Sequence, residues 1–300
     1  MRSAESEPIM NTSWLLPILF SALTLGIYDV CKKSAVKDNS VMPVLFLATL
    51  CGSLFFLTVS AITGTAAAAL NCSRNEYLLT LLKSLIVSSS WVCVFYAMRE
   101  LPITLASPIR ATSPMWTAIG GLLIFHEIPN LQQGIGMLII FAGYLCFNFI
   151  GKAEGFNWKS KGCLLIIAGT LLGAISALFD KYLLNIVKID RQILQFYFSV
   201  NLVLVLGIAF AIRNCFGQKH QFKWKWSIPL TGILLIMADY AYFYALSVDE
   251  APISMVSLVR RCSCVVTFIV GAKYFNDSRL KSKAAALALL LLGVILIALK

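Results

Sequence analysis

Long apolar segments recur along the whole chain, and they restrict the possible folds more than any other feature of the sequence. Each is about 17–25 residues long, which is the length that an α-helix needs to cross a bilayer. They cover residues 14–33, 41–63, 77–98, 102–124, 131–150, 161–184, 192–213, 227–246, 252–274 and 282–299. The sequence therefore predicts an all-α membrane protein with ten transmembrane helices joined by short connections.

The charge content agrees with a membrane environment and argues against nucleic acid as a partner. Only 13% of the 300 residues are charged, whereas a soluble protein carries about 25%. The formal net charge is +11, but the basic residues fall mostly between the apolar segments. Lysine and arginine in such loops set the orientation of the chain and contact anionic headgroups. We therefore expect the lipid bilayer as a partner and no nucleic acid.

The second half of the chain repeats the first at an offset of about 150 residues. "FYAM" at residues 95–98 matches "FYAL" at residues 243–246, and Pro102 then aligns with Pro252. Further matches at this offset are Ile103 with Ile253, Thr104 with Ser254, Ser107 with Ser257, Arg110 with Arg260, Ser113 with Ser263, Thr117 with Thr267, Gly121 with Gly271, Phe125 with Phe275, Glu127 with Asp277 and Gly143 with Gly293. Chance similarity between apolar helices does not place arginine, serine, proline and acid at one offset. We therefore divide the chain into two five-helix repeats, residues 1–151 and 152–300.

An odd number of helices in each repeat requires the second repeat to be inverted in the membrane relative to the first. Inverted repeats are typical of carriers that work by alternating access, with the substrate site near the midplane where the repeats meet. The sequence thus predicts a secondary transporter of a small molecule, working as a monomer or homodimer. Protons or a counter-substrate are the expected coupling partners.

Two segments carry a resemblance to a known family. They are "FYAMRELPITLASPIRATSPMWTAIGGLLIFHE" and "FYALSVDEAPISMVSLVRRCSCVVTFIVGAKYFND", which begin at residues 95 and 243. The chain resembles the drug/metabolite transporter superfamily in its ten-helix EamA-like form. The resemblance implies a bundle whose third, fourth, eighth and ninth helices help line a central cavity. It also implies transport of small metabolites, since the superfamily includes amino-acid exporters, nucleotide-sugar carriers and plastid phosphate translocators.

Arg110 and Arg260 are the most unusual residues of the apolar segments. Arg110 lies eight positions after Pro102, which at about 1.5 Å per residue places it near half depth. A guanidinium there costs on the order of 3 kcal/mol on insertion scales. Both arginines share a helical stripe with small and polar residues, including Ser107 and Ser257, and such a stripe faces a cavity or another helix. We interpret them as substrate-binding residues; the alternative is that each is a buried structural strut.

Arg261 adds a second cation beside Arg260, and the pair is similar to the basic pair on the ninth helix of plastid phosphate translocators. Several guanidinium groups around one cavity suit a carboxylate or a phosphate, which arginine can bind through two hydrogen bonds. Asp239 lies near the middle of the eighth span. It is expected either to couple transport to protons or to neutralise one of the arginines, since buried charges are usually paired.

Aromatic side chains crowd the third and eighth spans, and we predict that Trp91, Tyr96, Tyr240 and Tyr244 contact the substrate, although packing is the commoner use of such residues. Charged residues closer to the predicted helix ends are expected to extend toward the membrane surface. They are Asp29, Lys32, Lys33, Asp180 and Lys181.

Motifs of nucleotide-dependent and hydrolytic enzymes do not occur in the sequence. The chain has no Gly-x-x-x-x-Gly-Lys phosphate loop, no His-Glu-x-x-His and no Gly-x-Ser-x-Gly, so we predict no cofactor, no metal and no catalytic residue. The alternatives left open are an exporter of amino acids or amphipathic compounds, an intramembrane enzyme acting on a lipid or polar substrate, and a structural or regulatory membrane subunit. A compact chain without a transit extension favours a bacterial inner membrane.

Overall fold

The fold is a bundle of α-helices. The computed structural model describes residues 13–101, 106, 109–110, 112–128, 130–152, 160–215, 222–248, 251–275 and 280–298, and these contain no strand. The helices are α1 Leu15–Val36, α2 Val41–Ile62, α3 Arg74–Glu100, α4 Ser113–Phe125, α5 Leu131–Lys152, α6 Lys161–Lys181, α7 Arg191–Cys215, α8 Ser227–Leu246, α9 Ile253–Arg261, α10 Ser263–Phe275 and α11 Leu280–Ala298. A 3₁₀ helix covers Thr65–Asn71, and a π turn at Tyr182–Ile186 extends α6.

Six of the described helices are long and apolar enough to cross a bilayer, namely α1, α2, α3, α6 with its π turn, α7 and α8. Shorter apolar stretches lie in α4, α5 and α11. The prediction of an all-α membrane protein is thereby confirmed, and the count of ten spans stays a prediction.

The two arginine-bearing spans are not continuous helices. Arg110 is helical, a turn follows at Thr112, and α4 begins at Ser113. In the second half, α9 ends at Arg261 and α10 begins after a turn at Cys262. The same i→i+3 backbone hydrogen bonds surround both turns: Thr112 to Ile109 (3.1 Å), Met115 to Thr112 (3.0 Å), Cys262 to Val259 (3.1 Å) and Val265 to Cys262 (2.9 Å). The expectation of one unbroken helix over residues 102–124 and another over 252–274 was therefore wrong.

A proline explains the first break. Pro114 has no backbone N–H, and its ring clashes with the carbonyl four residues earlier, which is that of Arg110. Cys264 stands at the equivalent position of the second half, so the sequence offers no such cause for the second break. The structure nevertheless places both breaks two residues after the partly buried arginines Arg110 and Arg260.

The helices of the first half pack on those of the second in a regular way. α1 packs on α8 as α3 packs on α6, α2 packs on α8 as α3 packs on α7, and α4 packs on α6 as α10 packs on α1. α5 pairs with α11, and α4 with α9. Apart from the contact between α4 and α9, exchanging each helix with its counterpart reproduces this pattern, as a twofold axis between two repeats would. The division at residues 151 and 152 and the inverted orientation of the repeats stay predictions.

Small residues and hydroxyl groups hold these helices close together. Ser21 Oγ donates to the carbonyl of Ala238 at 2.6 Å, and Ser90 Oγ donates to that of Gly169 at 2.7 Å. A Cβ added at Gly232 would lie 1.9 Å from the carbonyl oxygen of Ala48. Close backbone approach of this kind is how helices associate in a bilayer, where the solvent supplies no hydrophobic drive between them.

We expect Gly232→Ala to lower the thermal unfolding temperature of the purified protein, because the added methyl group would meet the backbone of α2 rather than a flexible side chain. Overpacking at such a contact costs about 1–3 kcal/mol. Gly134→Ala is the matched control, since a Cβ there meets nothing within 4 Å. Equal unfolding temperatures of the two variants would contradict the close contact between α2 and α8.

Candidate functional site

A cavity of about 130 Å³ lies between the helices of the two halves. Side chains from α1, α3, α6, α7, α8 and α9 line it, together with Arg110 and Ser113. Five cationic side chains and two carboxylates lie among its described lining residues, namely Lys32, Lys83, Arg110, Arg260, Arg261, Asp180 and Asp239. Burying so much charge inside a membrane protein is costly, which makes this cavity the candidate functional site.

One carboxylate holds two cations at the side of the cavity formed by α1. Asp29 Oδ1 accepts a hydrogen bond from Lys32 Nζ at 2.5 Å and another from Arg110 Nη1 at 2.9 Å. We call Asp29, Lys32 and Arg110 the Asp29 cluster. Arg261 lies near it, since its Nη2 donates to Ser113 Oγ at 3.4 Å.

Two one-to-one ion pairs also lie at the cavity. Lys83 of α3 pairs with Asp180 of α6, and Arg260 of α9 pairs with Asp239 of α8. These are partners on different helices, so each pair connects two elements of the bundle. The expectation that Asp239 neutralises an arginine agrees with this geometry.

Three cations that line the cavity lie over aromatic rings. Lys83 Nζ is 4.1 Å from the centre of the Phe198 ring and 4.4 Å from that of Phe243. Arg260 lies 4.1 Å from the Tyr242 ring and Lys32 4.3 Å from the Tyr28 ring. Cation–π contacts of this kind gain strength when water is excluded. The rings therefore stabilise the buried cations.

Most of the predicted site residues come together at this cavity. Its described lining includes Arg110, Arg260, Arg261, Ser257, Trp91 and Asp239. Trp91 packs its ring against Phe198, with ring centres 6.4 Å apart. Ser107 lies outside the described residues.

Three predicted aromatic residues are not among the described residues that line the cavity. Tyr240 is 40% exposed and Tyr244 is 38% exposed on the outer side of α8. Tyr244 lies under the guanidinium of Arg191 at 4.4 Å, and Tyr96 lies 5.3 Å from that of Arg213. The structure thus places Tyr96 and Tyr244 beside cations outside the cavity.

The expectation that the charged residues of α1 and α6 extend toward the membrane surface was wrong for four of them. Asp29, Lys32, Asp180 and Lys181 are all buried. The physical reason is that each finds an opposite charge within the bundle, which removes the drive to reach water. Lys33 instead donates to the carbonyl of Leu101 at 3.1 Å.

Lys83 is the cavity residue that sequence reasoning missed entirely. It is 1% exposed and lies inside the third apolar segment. A lysine at that depth is itself a signal of function, by the argument applied to Arg110. The sequence also contains a signal for its partner, Asp180. "YD" at residues 28–29 matches "FD" at residues 179–180, which places both aspartates at equivalent points of the two halves.

A further ionic contact joins the two halves at the end of α4. The carboxylate of Glu127 pairs with Lys181 Nζ at 2.5 Å and accepts from the backbone N–H of Ile253 at 3.1 Å. Lys181 Nζ also donates to the carbonyl of Ala251 at 2.8 Å. Glu127 thereby satisfies a free N–H group at the start of α9, where a negative charge is favourable.

Comparison with known proteins finds a family similarity in the first half of the chain. Residues 12–149 match the EamA-like transporter family. The chain is 22% identical over 202 residues to an uncharacterized transporter, YxxF, of Bacillus subtilis (strain 168). That alignment covers 67% of this chain and 63% of the Bacillus protein, which is less than two thirds of the relative.

The fold is similar to that of a solved crystal structure of another protein. The TM-score is 0.71 at 12% sequence identity, over 95% of this chain and 97% of the other. Identity this low shows a shared fold only. Residues 12–149 of this multi-pass membrane protein are thus similar to the EamA-like transporter family, in agreement with the resemblance to the drug/metabolite transporter superfamily.

Proposed function

We propose that this protein is a secondary transporter that moves a small anionic metabolite, one that bears a carboxylate or a phosphate group, across a membrane by alternating access. The EamA-like domain and the similarity to an uncharacterized transporter support the transport activity. A Bacillus relative favours the inner membrane of a bacterium as its location. The partners are the lipid bilayer, the substrate, and protons or a counter-substrate, and the carrier works as a monomer or homodimer.

The positive charge of the cavity wall supports an anion as the substrate. Among the described residues, five cationic side chains meet two carboxylates in the lining and a third, Asp29, directly behind it. The wall is therefore positive at neutral pH. A cation entering such a site would meet a like charge, which costs about 4 kcal/mol at 4 Å with an effective dielectric constant of 20. An anion gains a comparable attraction.

The size and the donors of the cavity favour a small polar substrate over an amphipathic one. Its volume of about 130 Å³ is well below the roughly 300–1,000 Å³ of pockets that hold drug-sized ligands. Hydroxyl groups of Ser113, Ser257 and Thr170 lie in the lining beside the arginines. Guanidinium groups present paired donors to a carboxylate or phosphate. Arg110, Arg260 and Arg261 are accordingly the proposed anion-recognition residues.

Alternating access requires the two halves to move against each other around this cavity. The contact of Glu127 with Lys181 and the N–H of Ile253 holds them together at one end. Opening toward that side breaks this contact. The broken helices after Arg110 and Arg261 place turns beside the substrate, as in carriers whose sites are built from discontinuous helices.

A thermal-shift screen of the purified protein tests the substrate class. Small carboxylates and phosphate esters should raise the unfolding temperature, because they bind the folded state, while neutral and cationic compounds of similar size should not. Arg110→Gln should abolish the stabilisation by anions. Stabilisation by neutral or cationic compounds alone would show that the arginines are struts and that the substrate class is different.

Flux into liposomes that contain only this chain separates transport from the other functions. Net movement of a stabilising anion into the vesicles is the expected result. Turnover of the compound without net movement would indicate an intramembrane enzyme. If the compound is neither moved nor converted, the protein is a structural subunit.

Asp239→Asn tests the role of the acid on α8. Because Asp239 pairs with Arg260, its loss should leave a buried guanidinium without a counter-charge and destabilise the protein by about 3–5 kcal/mol. Uptake driven by a pH gradient and exchange between identical substrates should fall together. The double variant Asp239→Asn/Arg260→Gln should regain much of the lost stability, since neither charge remains. Normal stability with loss of only the pH-driven mode would instead make Asp239 a proton site.

A further inference from the structure

The three carboxylates of the cavity do not hold equal numbers of cations. Asp29 accepts from both Lys32 and Arg110 on the same oxygen, at 2.5 and 2.9 Å. Asp180 and Asp239 each pair with one cation among the described residues, Lys83 and Arg260 respectively. The excess of positive charge within these ion pairs therefore lies in the Asp29 cluster.

The number of cations on each carboxylate decides whether Arg110 or Arg260 can leave its ion pair. If a substrate anion took Arg260, Asp239 would remain buried with only 9% of its side chain exposed and no paired cation. Removing one partner from a buried ion pair is strongly destabilising. If the anion took Arg110, Asp29 would still be paired with Lys32.

The exposure of the two cations assigns them different tasks. The side chain of Arg110 is 16% exposed, whereas that of Lys32 is 1% exposed. Lys32 Nζ is also held over the rings of Tyr28 at 4.3 Å and Phe95 at 5.6 Å. Arg110 can therefore turn toward a ligand in the cavity, while Lys32 stays against Asp29.

We propose that Arg110 is the guanidinium that leaves its carboxylate to bind the anionic group of the substrate, and that Lys32 is a positioning residue that keeps Asp29 neutralised when it does. The inference rests on the proposed anion transport and specifies which side of the cavity receives the anion. Arg261, which bonds Ser113 three residues after Arg110, adds positive charge on that side. The ion pairs Lys83–Asp180 and Arg260–Asp239 remain intact while the anion binds.

Titration of the purified full-length protein with inorganic phosphate, at constant ionic strength, tests this role. Lys32→Gln should weaken phosphate binding at least about tenfold, because Arg110 could then leave only by stranding a buried Asp29. The variant should still fold, since the Asp29–Arg110 pair remains. Lys33→Gln is the matched control: the neighbouring lysine bonds the carbonyls of Met98 and Leu101, and its loss should not change the affinity.

A double variant separates positioning from direct binding. Lys32→Gln/Asp29→Asn frees Arg110 from its carboxylate altogether and should restore phosphate affinity. If the double variant binds as weakly as Lys32→Gln, or if Lys32→Gln binds like the wild type, the inference is overturned while anion transport stands. If the wild type binds neither phosphate nor acetate, the proposed substrate class fails and the inference fails with it.

Discussion

Charge buried at membrane depth must meet an opposite charge, and the arrangement of the inner helices depends on this constraint. Asp29 connects α1 to the segment of Arg110, Asp180 connects α6 to Lys83 of α3, and Asp239 connects α8 to α9. Three carboxylates thus link the helices that surround the cavity. Each pair replaces hydration that the bilayer does not offer. The same pairs occupy the cations, so under the proposed function binding of an anion is an exchange of partners.

The two halves resemble each other more in sequence than in ion pairing. Asp29 and Asp180 hold equivalent places, as do Arg110 and Arg260. Arg110 nevertheless pairs with Asp29, whereas Arg260 pairs with Asp239 and Asp180 takes Lys83. Related sequences therefore support two different pairing schemes in one structure, and the extra cation among these ion pairs belongs to the Asp29 cluster.

The sequence predicted what depends on local composition and missed what depends on distant contacts. Long apolar segments gave the helical membrane fold, and the depth of Arg110 and Arg260 pointed to the cavity. The partner of Lys83 lies 97 residues away, and no local pattern joins the two. Tyr240 and Tyr244 were assigned to the cavity although they face outward, because α8 is apolar on nearly all sides and its sequence does not mark an inner face. The sequence has no proline that would predict the break at Cys262, whereas Pro114 predicts the break at Thr112.

The contact of Gly232 with the backbone of Ala48 has a mechanical consequence. Helices whose backbones touch have no compressible side-chain layer between them at that point, so α2 and α8 resist sliding past each other where they cross. Bending of the backbone must then occur elsewhere along the chain. The turns at Thr112 and Cys262, where the regular i→i+4 ladder is already interrupted, are the places where the backbone can flex at least cost. The points where the backbone bends would then adjoin the arginines that are proposed to bind the substrate.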